Sequence, residues 1–179
     1  MSAGSTAPIL SAGPPGRGYD PAVRVVLQRV SRARVQVAGE EVGAIGPGLV
    51  ALVGVAPDDD PAVAARLAER VVRLRLFAGE GRGGERSLLD TGGALLVVSQ
   101  FTLLADTRRG NRPSWSAAAP PEAAGPLVEA FAAAARAAGT AVAEGRFGAH
   151  MELELVNDGP VTLILDGKAQ VATGGGETA

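Results

Sequence analysis

Short valine- and leucine-rich runs, cut apart by glycine and proline, constrain this chain more than any other feature. VRVVLQRV, opening at Val23, is rich in β-branched residues, and RARVQV (32–37) alternates polar with apolar, the period of a half-buried strand. Gly39 sits in the turn to a short strand near Val42. Gly46-Pro47-Gly48 then punctuates the chain before LVALVGV (49–55), a continuous apolar run that suits a strand covered on both faces. LLVVSQFT (95–102) reads the same way and leads into a long irregular stretch ending near Ala119. MELELV (151–156) alternates, and VTLILD (161–166) follows after only Asn157-Asp158-Gly159-Pro160, which predicts a hairpin or a sharply bent pair.

Two helices interrupt the strands. Asp60-Pro61 supplies an N-cap and a first-turn proline, and Val63, Leu67, Val71 and Leu74 recur on one helical face. The second helix starts near Pro121, with Leu127, Phe131, Ala134 and Ala138 on its buried face and Gly139 placed for a left-handed C-cap. AGEGRGGER (78–86) reads as a loop. Six or more strands with two helices, without an internal repeat, predict one compact α/β (α+β) domain over 23–166. The Gly-, Pro-, Ser- and Ala-rich leader 1–22 and the tail 167–179 read as flexible extensions.

The chemistry the chain lacks narrows its function. It has no cysteine, which removes disulfides, zinc-thiolate sites and cysteine nucleophiles and is compatible with a reducing cytoplasm. One histidine, His150, is too few for a zinc hydrolase site, and the bland reading of His150 is a strand-edge residue. Neither G-x-S-x-G nor G-x-x-x-x-G-K-[ST] occurs. No secretory h-region is visible, and no apolar run reaches the ~18 residues of a membrane span. The formal net charge is −2, so any RNA contact has to come from a local basic patch. No metal or cofactor is expected.

Two segments stand out. In SQFTLLADTRRGNRPSW (99–115) a buried strand ends in hydroxyl and amide groups, which need hydrogen-bond partners or a ligand. Arg108, Arg109 and Arg112 follow, with Trp115 behind them; guanidinium groups grip phosphates and an indole stacks on a base. The alternatives are a plain Ser/Thr strand end and a solvated arginine loop. In NDGPVT (157–162) a proline interrupts a strand region, where it belongs at an edge, a bend or a simple turn.

At these segments the sequence resembles the D-aminoacyl-tRNA deacylases, older name D-tyrosyl-tRNA deacylases. The resemblance runs from about Val23 to Asp166 through VLQRVSRARVQVAGE (26–40), IGPGLVALVGV (45–55), GGALLVVSQFTLLADTRRGNRPSW (92–115) and GRFGAHMELELVNDGPVT (145–162). It implies a mixed, barrel-like β core with two main helices and a homodimer with active sites at the subunit interface. The substrate it implies is tRNA charged with a D-amino acid; glycine, which has no side chain to reject, is expected to be accepted as well. Gly159-Pro160 would be cis and reach into the partner's pocket, braced by Arg29. Ser99, Gln100, Phe101 and Thr102 would line the pocket, with Asn157 also on the substrate side. Gln100, Phe101 and Thr102 are the catalytic candidates, and Arg108, Arg109 and Arg112 the weaker tRNA contacts.

Two mechanisms are open: backbone N–H groups near Phe101 and Thr102 hold the oxyanion while the RNA 2′-hydroxyl activates water, or Thr102 is the nucleophile. The rival functions are a non-catalytic nucleic-acid-binding module on the same fold and a deacylase of relaxed chirality. The sequence departs from the family at Gly83-Gly84-Glu85, where Lys-Met-Asn is common, and at Trp115, where phenylalanine is usual. Relatives typically begin near Val23, which makes 1–22 an extension or Val23 the true start.

Overall fold

A computed structural model describes residues 23–79, 84–108 and 110–167. The leader, most of the tail and Arg109 therefore lie outside the described residues, as do positions 80–83 of the 78–86 loop. The elements run β1 (Arg24–Val37), β2 (Glu40–Ile45), β3 (Gly48–Gly54), α1 (Pro61–Arg73), α2 (Leu88–Thr91), β4 (Ala94–Ser99), a 3₁₀ turn (Phe101–Leu104), α3 (Pro121–Ala137), β5 (Ala141–Glu144) and β6 (Glu152–Asp166).

The strands form one mixed six-stranded sheet that curls into a nearly closed barrel. β1 organises it. Its first half pairs antiparallel with β3, its second half with β2, and β6 runs along its other edge throughout. β4 joins β3 in parallel and β5 joins β4 in parallel. The half-buried strand read over 32–37 thus extends back through the β-branched run to Arg24 as a single long strand. Ala38 (φ 51°) and Gly39 (φ 79°) both take positive φ in the tight turn to β2.

The hairpin or bent pair expected around Asn157–Pro160 is corrected. Residues 152–166 form one continuous strand, because both halves pair with β1 in the same antiparallel sense, Val30 opposite Asn157 and Gln28 opposite Thr162. Residues 158–161 bulge out opposite Arg29 alone. The strand expected over 95–102 also stops early. Its ladder with β3 ends at Ser99, the Gln100 N–H donates to the Val53 carbonyl at 2.7 Å, and the chain tightens into the 3₁₀ turn.

The two long helices cover one face of the sheet. Asp60 caps α1 by accepting from the Ala62 N–H at 2.7 Å, with Pro61 in the first turn. Val63, Leu67, Val71 and Val72 of α1 pack with Leu127, Val128, Phe131 and Ala135 of α3 over Leu27, Leu49, Ala51 and Leu95. On α3 the expected face shifts slightly: Ala132 and Ala135 are buried, while Ala134 and Ala138 are only partly so. Gly139 takes φ +100° after the helix. A smaller core of Val30, Ala33, Val35, Val50, Leu96 and Val98 fills the barrel side. Short α2, the 3₁₀ turn and β5 are additions to the pattern read from sequence. No helix of the described residues is long and apolar enough to cross a membrane.

Candidate active site

The C-terminal end of β4 carries the first group of candidates. Ser99 closes the strand, and Gln100 turns the chain at φ −145°, ψ 77°. Gly54 permits that turn, since a Cβ there would lie 2.8 Å from the Gln100 carbonyl oxygen. Leu104, 1% exposed, pins the 3₁₀ turn into the core. The Gln100 and Leu103 N–H groups are engaged by the Val53 and Gln100 carbonyls. Phe101 and Thr102 stand in the first turn, where helical geometry supplies no acceptor for the backbone N–H. The Gln100 side-chain amide donates to the Thr102 hydroxyl oxygen. That donor holds the hydroxyl in place, and it cannot take its proton.

Around this turn the surface is hollow and aromatic. Phe101 is 55% exposed and meets Trp115 edge to face, centroids 5.5 Å apart and planes at 80°. Both rings line a cleft of about 430 Å³ together with Ser99, Gln100, Phe147 and the start of α3 at Pro120-Pro121. A second cleft of about 270 Å³ shares Ser99, Gln100, Phe101 and Gly148 with the first and adds His150, Met151 and Leu153. His150 is exposed at its rim. Phe147, 44% exposed, was missed as a site residue. Its signal was available in the sequence: a large apolar ring beside Gly148, outside any amphipathic run.

The arginine loop beyond the turn is tied shut by Asp106 and Ser114, which exchange backbone hydrogen bonds of 2.8 and 2.9 Å. Arg108 is committed there. Its guanidinium forks onto the Asp106 carboxylate at 2.8 and 2.7 Å, and that hydrogen bonding raises its pKa. Arg112 is exposed on the same loop.

The second group lies elsewhere. Asp158, Gly159 and Pro160 are exposed on the β6 bulge, and the Gly159-Pro160 peptide is cis. Arg29 sits beneath them: its Nε donates to the Asp158 carbonyl at 3.2 Å and lies 3.1 Å from the Asp158 carboxylate. Its Nη1 donates to the Leu76 carbonyl. A Cβ on Gly159 would meet Arg29 Nη2 at 2.5 Å, so only glycine lets the guanidinium lie so close. Asn157 Oδ1 is buried without a hydrogen-bond partner among the described residues. Leu76 continues into a short ladder in which the Phe77 and Arg86 backbones exchange bonds of 3.0 and 2.8 Å.

The two groups do not meet within the chain. Leu153 lines the cleft beside Ser99 and Phe101, and Gly159 lies about six residues further along the same strand, on the order of 20 Å away. The β registers agree: Arg29 is opposite Leu49, which is opposite Leu95 at the start of β4, while the cleft lies past its end.

The sequence and the fold have counterparts among known proteins. The chain belongs to the D-Tyr-tRNA(Tyr) deacylase family, whose model matches residues 26–166. It is 60% identical over 144 residues to the D-aminoacyl-tRNA deacylase of Roseiflexus sp. (strain RS-1), covering 80% of this chain and 93% of that protein. It is 59% identical over 147 residues to the D-aminoacyl-tRNA deacylase of Nocardia farcinica, covering 80% and 99%. Among solved structures it superposes on a c-Myc DNA unwinding element binding protein with a TM-score of 0.75 and 35% identity, over 82% of this chain and 99% of that one. A probable eukaryotic D-amino acid tRNA deacylase shares the fold, with a TM-score of 0.71 at 17% identity over 81% and 99%.

Proposed function

We propose that this protein is an editing hydrolase that cleaves the ester of D-aminoacyl-tRNA and spares the L form. The observation that carries the reading is the end of β4 in a member of this family: two exposed aromatic rings line the cleft, and beside it stands a 3₁₀ turn whose first backbone N–H groups have no acceptor in helical geometry and whose Thr102 hydroxyl is held by Gln100. The rings suit a terminal nucleoside, and the amides suit an oxyanion forming on the ester carbonyl. An aminoacyl ester is already activated, so holding it in position supplies much of the rate.

The protein acts as a homodimer in this reading, with each cleft completed by Gly159-Pro160 of a second copy. The ~20 Å between the two groups within one chain supports it, because neither end can serve the other in cis. A backbone element placed where an L side chain would project rejects by clash, whereas binding energy alone separates hydrogen from methyl by only ~1–3 kcal/mol. Ser99, Asn157, Gly159, Pro160 and Arg29 shape the substrate side. Residues 23–166 are the catalytic unit, working in the cytoplasm.

Thr102 serves as a positioning hydroxyl, and the RNA 2′-hydroxyl activates the water. The Gln100 amide supports this choice, since a donor on the threonine oxygen lowers its nucleophilicity. Thr102→Ala is expected to keep most of its rate, while tRNA ending in 2′-deoxyadenosine is expected to resist cleavage. Single-turnover assays of both reverse the assignment if the opposite pair of results is found.

The deciding experiment compares D-tyrosyl-, L-tyrosyl- and glycyl-tRNA at matched concentration. D-tyrosyl- and glycyl-tRNA should be cleaved and L-tyrosyl-tRNA spared, because glycine has no side chain to clash. Equal rates on D and L would overturn the chiral filter. Tight tRNA binding without hydrolysis of any ester would favour a non-catalytic nucleic-acid-binding role, the reading to which the 35%-identical DNA unwinding element binding protein points by its name.

A further inference from the structure

The outward face of α1 carries Arg66, Arg70 and Arg73, at the i, i+4, i+7 spacing that puts residues on one helical stripe, and Arg75 follows just past the helix. All four are exposed. Most other described arginines are neutralised. Arg24, Arg29, Arg34, Arg108, Arg136 and Arg146 each have a carboxylate within salt-bridge distance. Among the described residues no such partner is found for Arg66, Arg70, Arg73 or Arg75. Glu69 is the one acid within α1, and Arg75 acts on the Asp90 carboxylate from a distance.

Complementing the helix dipole accounts for Arg70 and Arg73, which lie in the last turn, but not for Arg66 in the middle of the helix. The stripe also leads somewhere. Arg75 lines a groove of about 480 Å³ with Arg29, Leu76, Phe77, Glu85 and Val161, directly beside Gly159-Pro160. The row from Arg66 to Arg73 spans about 10 Å of helix before reaching it.

We propose that this arginine stripe is the surface that takes the sugar-phosphate backbone of the tRNA, leading its acceptor strand along α1 past Gly159-Pro160 into the neighbouring subunit's cleft. The inference rests on the deacylase reading. In a chain of net charge −2, three arginines without a salt-bridge partner among the described residues on one helical stripe, continued by Arg75, are the local basic patch that RNA binding requires. Arg108, held by Asp106, is less available for the same work.

The test compares wild type with the Arg66→Gln, Arg70→Gln, Arg73→Gln triple variant, and with Arg136→Gln as a single-site control away from the stripe. Two substrates are used: full-length D-tyrosyl-tRNA and D-tyrosyl-adenosine, which has no phosphate backbone. The triple variant should raise KM for the tRNA roughly tenfold or more and reduce the slope of log KM against log salt by about 2. Its kcat/KM on D-tyrosyl-adenosine should stay within about twofold, as should every parameter of the control variant. Unchanged KM and salt slope would overturn the proposal. Equal losses on both substrates would overturn it too, by assigning the stripe a structural role. Filter binding of uncharged tRNA reads the same surface without catalysis. If wild type hydrolyses neither substrate, the deacylase reading fails alone, and the stripe stands or falls on whether the triple variant weakens that binding.

Discussion

Arg29 shows how much one side chain can organise. It is largely buried and joins two chain segments far apart in sequence, donating to Leu76 on one side and Asp158 on the other. Its planar fork does this in a way a lysine ammonium cannot. Arg29→Ala is therefore expected to loosen the Gly159-Pro160 bulge and raise the L- to D-tyrosyl-tRNA rate ratio by about tenfold or more, with Arg29→Lys in between. Parallel deacylation assays check it, and an unchanged ratio in both variants would separate Arg29 from chiral choice. Gly48 marks the other extreme, where a single methyl is too much. A Cβ there would fall 1.9 Å from the Ala94 carbonyl oxygen, a backbone atom that cannot swing aside. Gly48→Ala should cost about 1–3 kcal/mol or more in urea unfolding.

At the level of elements, the legibility of the sequence followed the strength of each local signal. Asp60-Pro61 and the Val63-Leu67-Val71 row announced α1, because cap, proline and periodicity agree. The Pro-led α3 was equally readable, although its buried face drifted by one residue where alanines offer little hydrophobic contrast. β6 was misread because turn residues dominate Asn157–Pro160, and pairing with β1 on both sides overrode them. In the site, SQFT and NDGPVT were visible as motifs and Phe147 offered an overlooked cue, while its place in a cleft wall and the Leu76 carbonyl's role were not legible. A cleft wall and a backbone acceptor acquire meaning only through tertiary neighbours.

α2 was missed through brevity, although its Ser87-x-x-Asp90 capping box is in plain sequence. The Ser87 backbone N–H, then its hydroxyl, donate to the Asp90 carboxylate and lower its pKa below the usual 3.8. The folded chain therefore binds fewer protons than the unfolded one in the window beneath that value. Stability from this cap is present above it and is lost as pH falls through the depressed value. Asp90→Asn should flatten the acid limb of stability measured by denaturant between about pH 5 and pH 2, and an unaltered limb would mean that the cap contributes nothing there.

For the whole molecule, the proposed dimer predicts complementation between subunits. Thr102 and Gln100 belong to one end of the barrel, Arg29 and Gly159-Pro160 to the other. A subunit crippled at Gln100 and one crippled at Arg29 should each form a poor homodimer enzyme. Refolded together, they should regain chiral editing in the mixed dimers, where one of the two composite sites is intact. Sedimentation with rate measurements on the mixture checks this, and a mixture no better than the sum of its parents would make each site the work of one chain.

The separation of the two ends has a genetic corollary. If every site is assembled from two chains, the unit that selection sees is the pair. An allele damaged at both ends would spoil each healthy partner it met, so that only dimers of two healthy subunits would edit. An allele damaged at one end would be partly rescued beside one damaged at the other. Drift at the arginine-braced bulge and drift at the aromatic cleft would then be coupled, though the two regions never touch within the molecule that encodes them both.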